Sequence, residues 1–152
     1  MNIYKKAFTL IELLIVIAIV GLFLAIVVAF LTDAKQKGKD TERVNSLAEV
    51  RKALQMYASD NNGFPSSTST LKELKYISTI NPAILYTGRT MDGMVCVSNS
   101  CPSYHLAVPL DNIANKVLSS DSDGITTGTI NGKTKNCLDG LENIDQCYDI
   151  IP

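Results

Sequence analysis

The 152-residue chain holds little that a catalyst or a nucleic-acid binder needs. It has one histidine, His105, and no phosphate-binding loop, GxSxG or HExxH pattern. That removes the usual sequence signs of nucleotide, hydrolase and zinc-peptidase chemistry. His105 lies in the strand-like run Tyr104-His105-Leu106-Ala107-Val108, where a partly buried or edge-strand histidine is expected rather than a metal ligand or triad member. A formal net charge of −1 gives no bulk attraction to nucleic acid. None of the four cysteines, Cys96, Cys101, Cys137 and Cys147, belongs to a CxxC pair, which argues against a zinc ribbon or a redox motif. Charge is also missing where it matters most: from Leu13 to Leu31, nineteen residues carry no charged or strongly polar side chain.

As a helix, that run spans close to the hydrocarbon thickness of a bilayer. Lys5 and Lys6 precede it and place the N-terminus on the cytoplasmic side, with the rest of the chain outside. The run is too long for the apolar region of a Sec signal peptide, and Ala29-Phe30-Leu31-Thr32 offers no clear small-x-small cleavage site. An uncleaved signal anchor explains the run and the lysines but leaves Glu12 unexplained. A carboxylate in a membrane helix costs roughly 2.5–3.5 kcal/mol at mid-membrane and less near the interface, so it calls for a partner. A cut between Ala7 and Phe8 would create one: a cationic Phe8 amine one helical turn from Glu12 of the same chain, or facing Glu12 of a neighbouring chain in a filament.

Composition changes abruptly after Leu31. Asp33, Lys35, Lys37, Lys39, Asp40, Glu42 and Arg43 form a mixed-charge stretch, read as a solvated helix face suited to salt bridges between adjacent subunits rather than to DNA or lipid. Val44, Leu47, Val50, Leu54 and Tyr57 then recur at steps of three and four, widened by Ala48, Ala53 and Met56 into one apolar stripe. A helix is therefore expected from the membrane to about Ser59, with Gly38 its weak point. Asp60-Asn61-Asn62-Gly63 ends it, with Gly63 free to take positive φ and Pro65 preventing resumption.

Beyond it, Ser66 to Thr70 reads as a loop. Thr70-Leu71-Lys72-Glu73 fits a capping box that opens a short helix through Leu74 and Tyr76. Ile84–Thr87, Met94–Ser98 and Tyr104–Leu110 are strand-like, giving three antiparallel strands that lay one face on the long helix. From Asp111 onward the chain reads mostly as loop. In an exported domain four cysteines imply two disulfides, which can pair in three ways; short loops close most easily, favouring Cys96 with Cys101 and Cys137 with Cys147, and the sequence alone does not choose. Ser120-Asp121-Ser122-Asp123-Gly124 reads first as a turn. Asp121 and Asp123 are the candidate ligands for calcium, which takes six to eight oxygens. No Glu stands at the EF-hand distance, so Asp111, Asp139 or carbonyls would have to complete such a site.

Lys5-Lys6-Ala7-Phe8-Thr9-Leu10-Ile11-Glu12-Leu13-Leu14 resembles the class III signal of type IV pilins and type II secretion pseudopilins. The resemblance implies an α+β fold: a long N-terminal helix, membrane-spanning in its first half and amphipathic in its second, packed on a small antiparallel sheet. It implies a leader of residues 1–7 removed by prepilin peptidase between Ala7 and Phe8, N-methylation of Phe8, and Glu12 as the assembly glutamate. It further implies a membrane and filament-core helix over 8–31, an amphipathic helix over 32–60 and a pilin-like domain over 61–152. Gly21 matches a glycine of the family helix; Ala7 stands where the family usually has glycine, and Ala29 where many members have proline. Tyr57 to Pro65 resembles the helix exit of pseudopilins. Cys137 and Cys147 resemble the ends of the disulfide-closed, surface-exposed C-terminal loop of many pilins, and some pseudopilins hold calcium in that loop.

The expected function is thus structural, not enzymatic, with calcium the one ion considered. The subunit would be a single-pass protein of the inner membrane, then an extracellular or periplasmic homo-oligomeric helical filament. Its partners would be the peptidase, the inner-membrane assembly platform and the membrane, with no specific nucleic acid. A type II secretion or competence pseudopilin, and a membrane-anchored binding module that never polymerises, are the alternatives.

Overall fold

The structure, a computed structural model, describes residues 9–126, 129–138 and 145–152. The chain divides into two compact units, Met1–Gln36 and Lys37–Pro152. Helix α1 (Leu10–Asn61) supplies both.

In the first unit the helix stands by itself. Leu13, Ile17, Phe23 and Phe30 are each at least 60% exposed. An 18-residue window of α1 reaches a mean hydropathy of 3.4, and no other helix among the described residues is long and apolar enough to cross a membrane. A helix satisfies its backbone polar groups internally, which is what hydrocarbon demands. At the end of the run the Thr32 hydroxyl donates to the Val28 carbonyl (3.2 Å), so this polar group is satisfied along the helix as well.

The second unit is built on the other end of α1. Leu47, Val50, Ala53, Leu54 and Tyr57 are buried and Val44 partly so. Ala48 and Met56, expected to widen the stripe, are exposed instead: they fall on the flank of the helix, outside the strip the sheet covers. Strand β1 (Leu85–Arg89) pairs antiparallel with β2 (Ser103–Pro109). The third strand is not Met94–Ser98, which makes a single bridge from Val95 to Arg89. It is β5 (Cys147–Ile150), from the tail read as loop, and the sheet order is β1-β2-β5 with β2 central. In between come a 3-10 turn (Lys116–Ser119) and a two-residue hairpin pair, β3 (Ile125–Thr126) and β4 (Ile130–Asn131).

Alternation along β2 sends Tyr104, Leu106 and Val108 to the α1 stripe, and His105 and Ala107 to the other face. That other face is not solvated: Ile130 and the Cys137 and Cys147 sulfurs cover Ala107. Burial on both faces explains why β2 reads as nearly continuous apolar sequence. Each buried Leu or Val on the stripe contributes roughly 1.5–3 kcal/mol.

Local corrections have local causes. The N-cap of α2 (Thr68–Glu73) is Ser67, not Thr70: Ser67 is extended (φ −146°, ψ 153°) and its hydroxyl accepts from the Ser69 N–H. The residue that ends α1 in a left-handed conformation is Asn62 (φ 56°), not Gly63. Gly63 is required for a different reason, since a Cβ there would meet the Ser100 backbone at 2.8 Å.

Candidate functional sites

Glu12 lies in the first turn of α1, and its side chain is exposed. The Thr9 N–H and hydroxyl donate to Glu12 Oε2 at 3.0 and 2.9 Å, and the Glu12 N–H reaches Thr9 Oγ1 at 3.3 Å. Thr9-Leu10-Ile11-Glu12 is therefore a capping box, with Glu12 as its N3 residue. The T-x-x-E spacing in the sequence is the signal for this box. Ala7 and Phe8, the expected cleavage and methylation residues, lie outside the described residues.

Asp40 and Arg43, read as solvent-facing charges for neighbouring subunits, are used within the chain. The Asp40 carboxylate is fully buried and accepts the N–H groups of Asp111 (2.7 Å) and Asn112 (3.0 Å). Arg43 donates to the Pro109 carbonyl (2.9 Å) and to Asp111 Oδ1 (2.8 Å). Together they fasten the segment after β2 to α1. Asp111 is consequently not available to the acidic turn.

His105 is not at an edge. It is fully buried on the central strand, with Nδ1 2.8 Å from Thr126 Oγ1 and Nε2 2.7 Å from Asp149 Oδ2. The order hydroxyl, imidazole, carboxylate is that of a hydrolase triad. All three residues are wholly inaccessible, however, so no substrate reaches the hydroxyl. The arrangement acts as a brace. Asp149 also accepts the N–H groups of Asp123 (2.9 Å, to Oδ1) and Gly124 (2.8 Å, to Oδ2). A Cβ at Gly132 would lie 2.6 Å from Asp149 Oδ2, so the β4 end closes directly over this carboxylate.

The brace fixes the turn that carries Asp121 and Asp123. One carboxylate oxygen from each of Asp121, Asp123 and Asp145 falls within 4.8 Å of the others. Asp145 is the third member; Asp139 lies outside the described residues. Asp121 Oδ2 is buried and has no hydrogen-bond partner. Burial, then the charges of Asp145, Asp149 and Asp123, push the Asp121 carboxyl up to about 7. Burial and Asp123 likewise raise Asp145. An orphaned, buried carboxylate oxygen among hard oxygen donors fits a divalent cation of the calcium type.

The disulfides are Cys96–Cys101 and Cys137–Cys147. The second closes the expected C-terminal loop, whose residues 139–144 lie outside the described residues; Cys137 and Cys147 themselves are fully buried against Ala107 of β2.

Residues 3–28 match the prokaryotic N-terminal methylation motif. The type II secretion system core protein G of Escherichia coli is 29% identical over 123 residues, covering 79% of this chain and 83% of that protein. The type IV wide pilus major component PilA4 of Thermus thermophilus is 40% identical over 74 residues, covering 49% and 56%. These matches liken the chain to the pilin and pseudopilin family. Members of this family are structural subunits rather than enzymes, consistent with the inaccessible histidine. Against the core protein G of Pectobacterium carotovorum, 36% identical over 78 residues, the chain spans about half the length of its relative. As expected from the motif, a pilin-like α+β architecture accompanies it.

Proposed function

We propose that this chain is the structural subunit of a type IV pilus-like filament, cut by prepilin peptidase between Ala7 and Phe8, N-methylated at Phe8 and polymerised through residues 8–31. The single observation that carries the reading is Glu12: one carboxylate at the head of a helix whose next nineteen residues are uncharged and whose large apolar side chains, from Leu13 to Leu31, are left uncovered within the subunit. A free Phe8 amine on a neighbouring subunit neutralises that carboxylate as the helices leave lipid and pack together. The inner-membrane assembly platform and the peptidase are the partners this pathway requires. The leader comprises 1–7 and the exported part 32–152, and the filament forms on the far side of the inner membrane.

Glu12→Gln tests it. Gln keeps the capping box with Thr9 but removes the charge. Membrane insertion should be retained and filaments lost; normal filaments from this variant would overturn the pairing.

A second reading, a short type II secretion pseudopilus, is favoured by the alignment to the E. coli protein, which extends well beyond the N-terminal helix. Surface filaments visible by electron microscopy support the first reading and count against the second. Under either, Asp121, Asp123 and Asp145 hold a calcium ion, which offsets three converging charges and locks the tail against β5.

A further inference from the structure

Three of the four cations that follow the apolar run differ in how they are used. Lys39 and Arg43 reach Asp111 at 3.9 and 2.8 Å. Among the described residues, no carboxylate pairs with Lys37, nor with Lys116 from the other side of the chain's fold. These two lysines, with Thr41, Asn112, Ala114 and Asn115, line an open pocket of about 330 Å³ between α1 and the loop after β2.

The pocket's free donors come from its lysines and amides, since the Thr41 hydroxyl already donates to the Lys37 carbonyl (2.8 Å). The one acid beneath the pocket, Asp40, is fully buried and occupied by the Asp111 and Asn112 N–H groups. Asn112 Oδ1 accepts from Ala114 N–H (3.0 Å) and Asn115 Oδ1 from Val117 N–H (3.4 Å). Each amide therefore spends its acceptor locally and leaves its NH2 group to donate. Two ammonium groups and two amide donors, in a lining that holds no acid, fit a phosphate; Asp33, one turn before Lys37 in α1, stands outside that lining.

The source of that phosphate follows from chain length. Lys37 comes six residues after Leu31, so even a fully extended chain holds it within about 22 Å of the end of the apolar run. Juxtamembrane lysines are drawn to anionic lipid surfaces. Ile113, 64% exposed, stands on the same loop between the pocket residues Asn112 and Ala114 and offers an apolar contact below the headgroup level. We propose that this pocket binds the phosphate of an anionic phospholipid headgroup while the subunit resides in the membrane. The proposal rests on membrane residence of the 13–31 run, and on nothing about the filament.

The test uses the full chain, 15N-labelled, in phosphatidylcholine bicelles and in bicelles with part of that lipid replaced by phosphatidylglycerol. Co-migration with both bicelles establishes membrane residence separately. The side-chain amide signals of Asn112 and Asn115 should shift and saturate as the phosphatidylglycerol fraction rises. Lys37→Gln with Lys116→Gln should weaken that response roughly tenfold or more, while Lys35→Gln, outside the pocket, should not. Amides that ignore phosphatidylglycerol, or that respond equally in the double variant, would overturn the proposal. So would the same shifts produced in phosphatidylcholine bicelles by inorganic phosphate, which would assign the pocket to a free ion.

Discussion

His105 Nε2 lies 2.7 Å from Asp149 Oδ2, with both side chains fully buried between the central strand and the tail. One imidazole on β2 thereby holds the carboxylate that in turn holds the acidic turn through the Asp123 and Gly124 N–H groups.

Asp149→Ala should be among the most damaging substitutions in the chain. It leaves the imidazole and two backbone donors without their acceptor, at about 1–3 kcal/mol for each buried group left unsatisfied. Thermal unfolding in detergent should fall by well over ten degrees, since about 1 kcal/mol moves a small domain by roughly 4–8 °C. A change of only a degree or two would show that the brace is not structural.

Leu54→Ala opens a cavity under the helix stripe, where Leu54 has no exposed surface. The expected loss is about 2–5 kcal/mol. Met56→Ala, one turn face away and mostly exposed, should cost little, and chemical denaturation of the two variants measures the difference.

Much of this was legible beforehand. The stripe from Val44 to Tyr57 shows through because helix period and burial coincide, and β2 because both its faces are covered. The third strand was hidden by its own content. Cys147-Tyr148-Asp149-Ile150 places an acid inside a strand, which local pattern reads as loop; His105, 44 positions earlier, and the Asp123 and Gly124 N–H groups make that acid admissible. Asp40 was hidden in the same way, a helix charge whose partners are backbone groups 71 and 72 residues on. The third carboxylate of the acidic turn, Asp145, is 22 positions from Asp123 and is brought back by β5 pairing, which no motif spacing reports.

The raised Asp121 carboxyl gives a pH dependence of unusual sign. Its folded-state value, about 7, exceeds the ordinary 3.8, so between these values the folded chain binds the proton more tightly than the unfolded chain does. Its contribution to cation-free stability is therefore present below about pH 4 and is lost as pH rises towards 7. Added calcium should counter this loss above that window, raising the unfolding temperature by roughly ten degrees or more at a hundredfold excess over Kd, where binding is worth about 2.7 kcal/mol. Asp121→Asn should remove both the slope and most of the calcium response; an unchanged response would place calcium elsewhere.

Reduction of Cys137–Cys147 should destabilise the domain by roughly 2–3 kcal/mol, the loop-closure value for its ten-residue separation. Because these sulfurs also cover Ala107 and Ile130, Cys137→Ser with Cys147→Ser should cost more than that figure. Denaturation of the reduced and the doubly substituted chains compares the two contributions.

The central claim is that this chain is processed and polymerised as a pilin. Its most direct test is the intact mass and N-terminal peptide of the native protein isolated from membranes. The account predicts a chain that begins at a methylated Phe8, lighter by two hydrogen atoms for each of its two disulfides. A chain that still begins at Met1 would contradict it and make a membrane-anchored module that never polymerises the better reading.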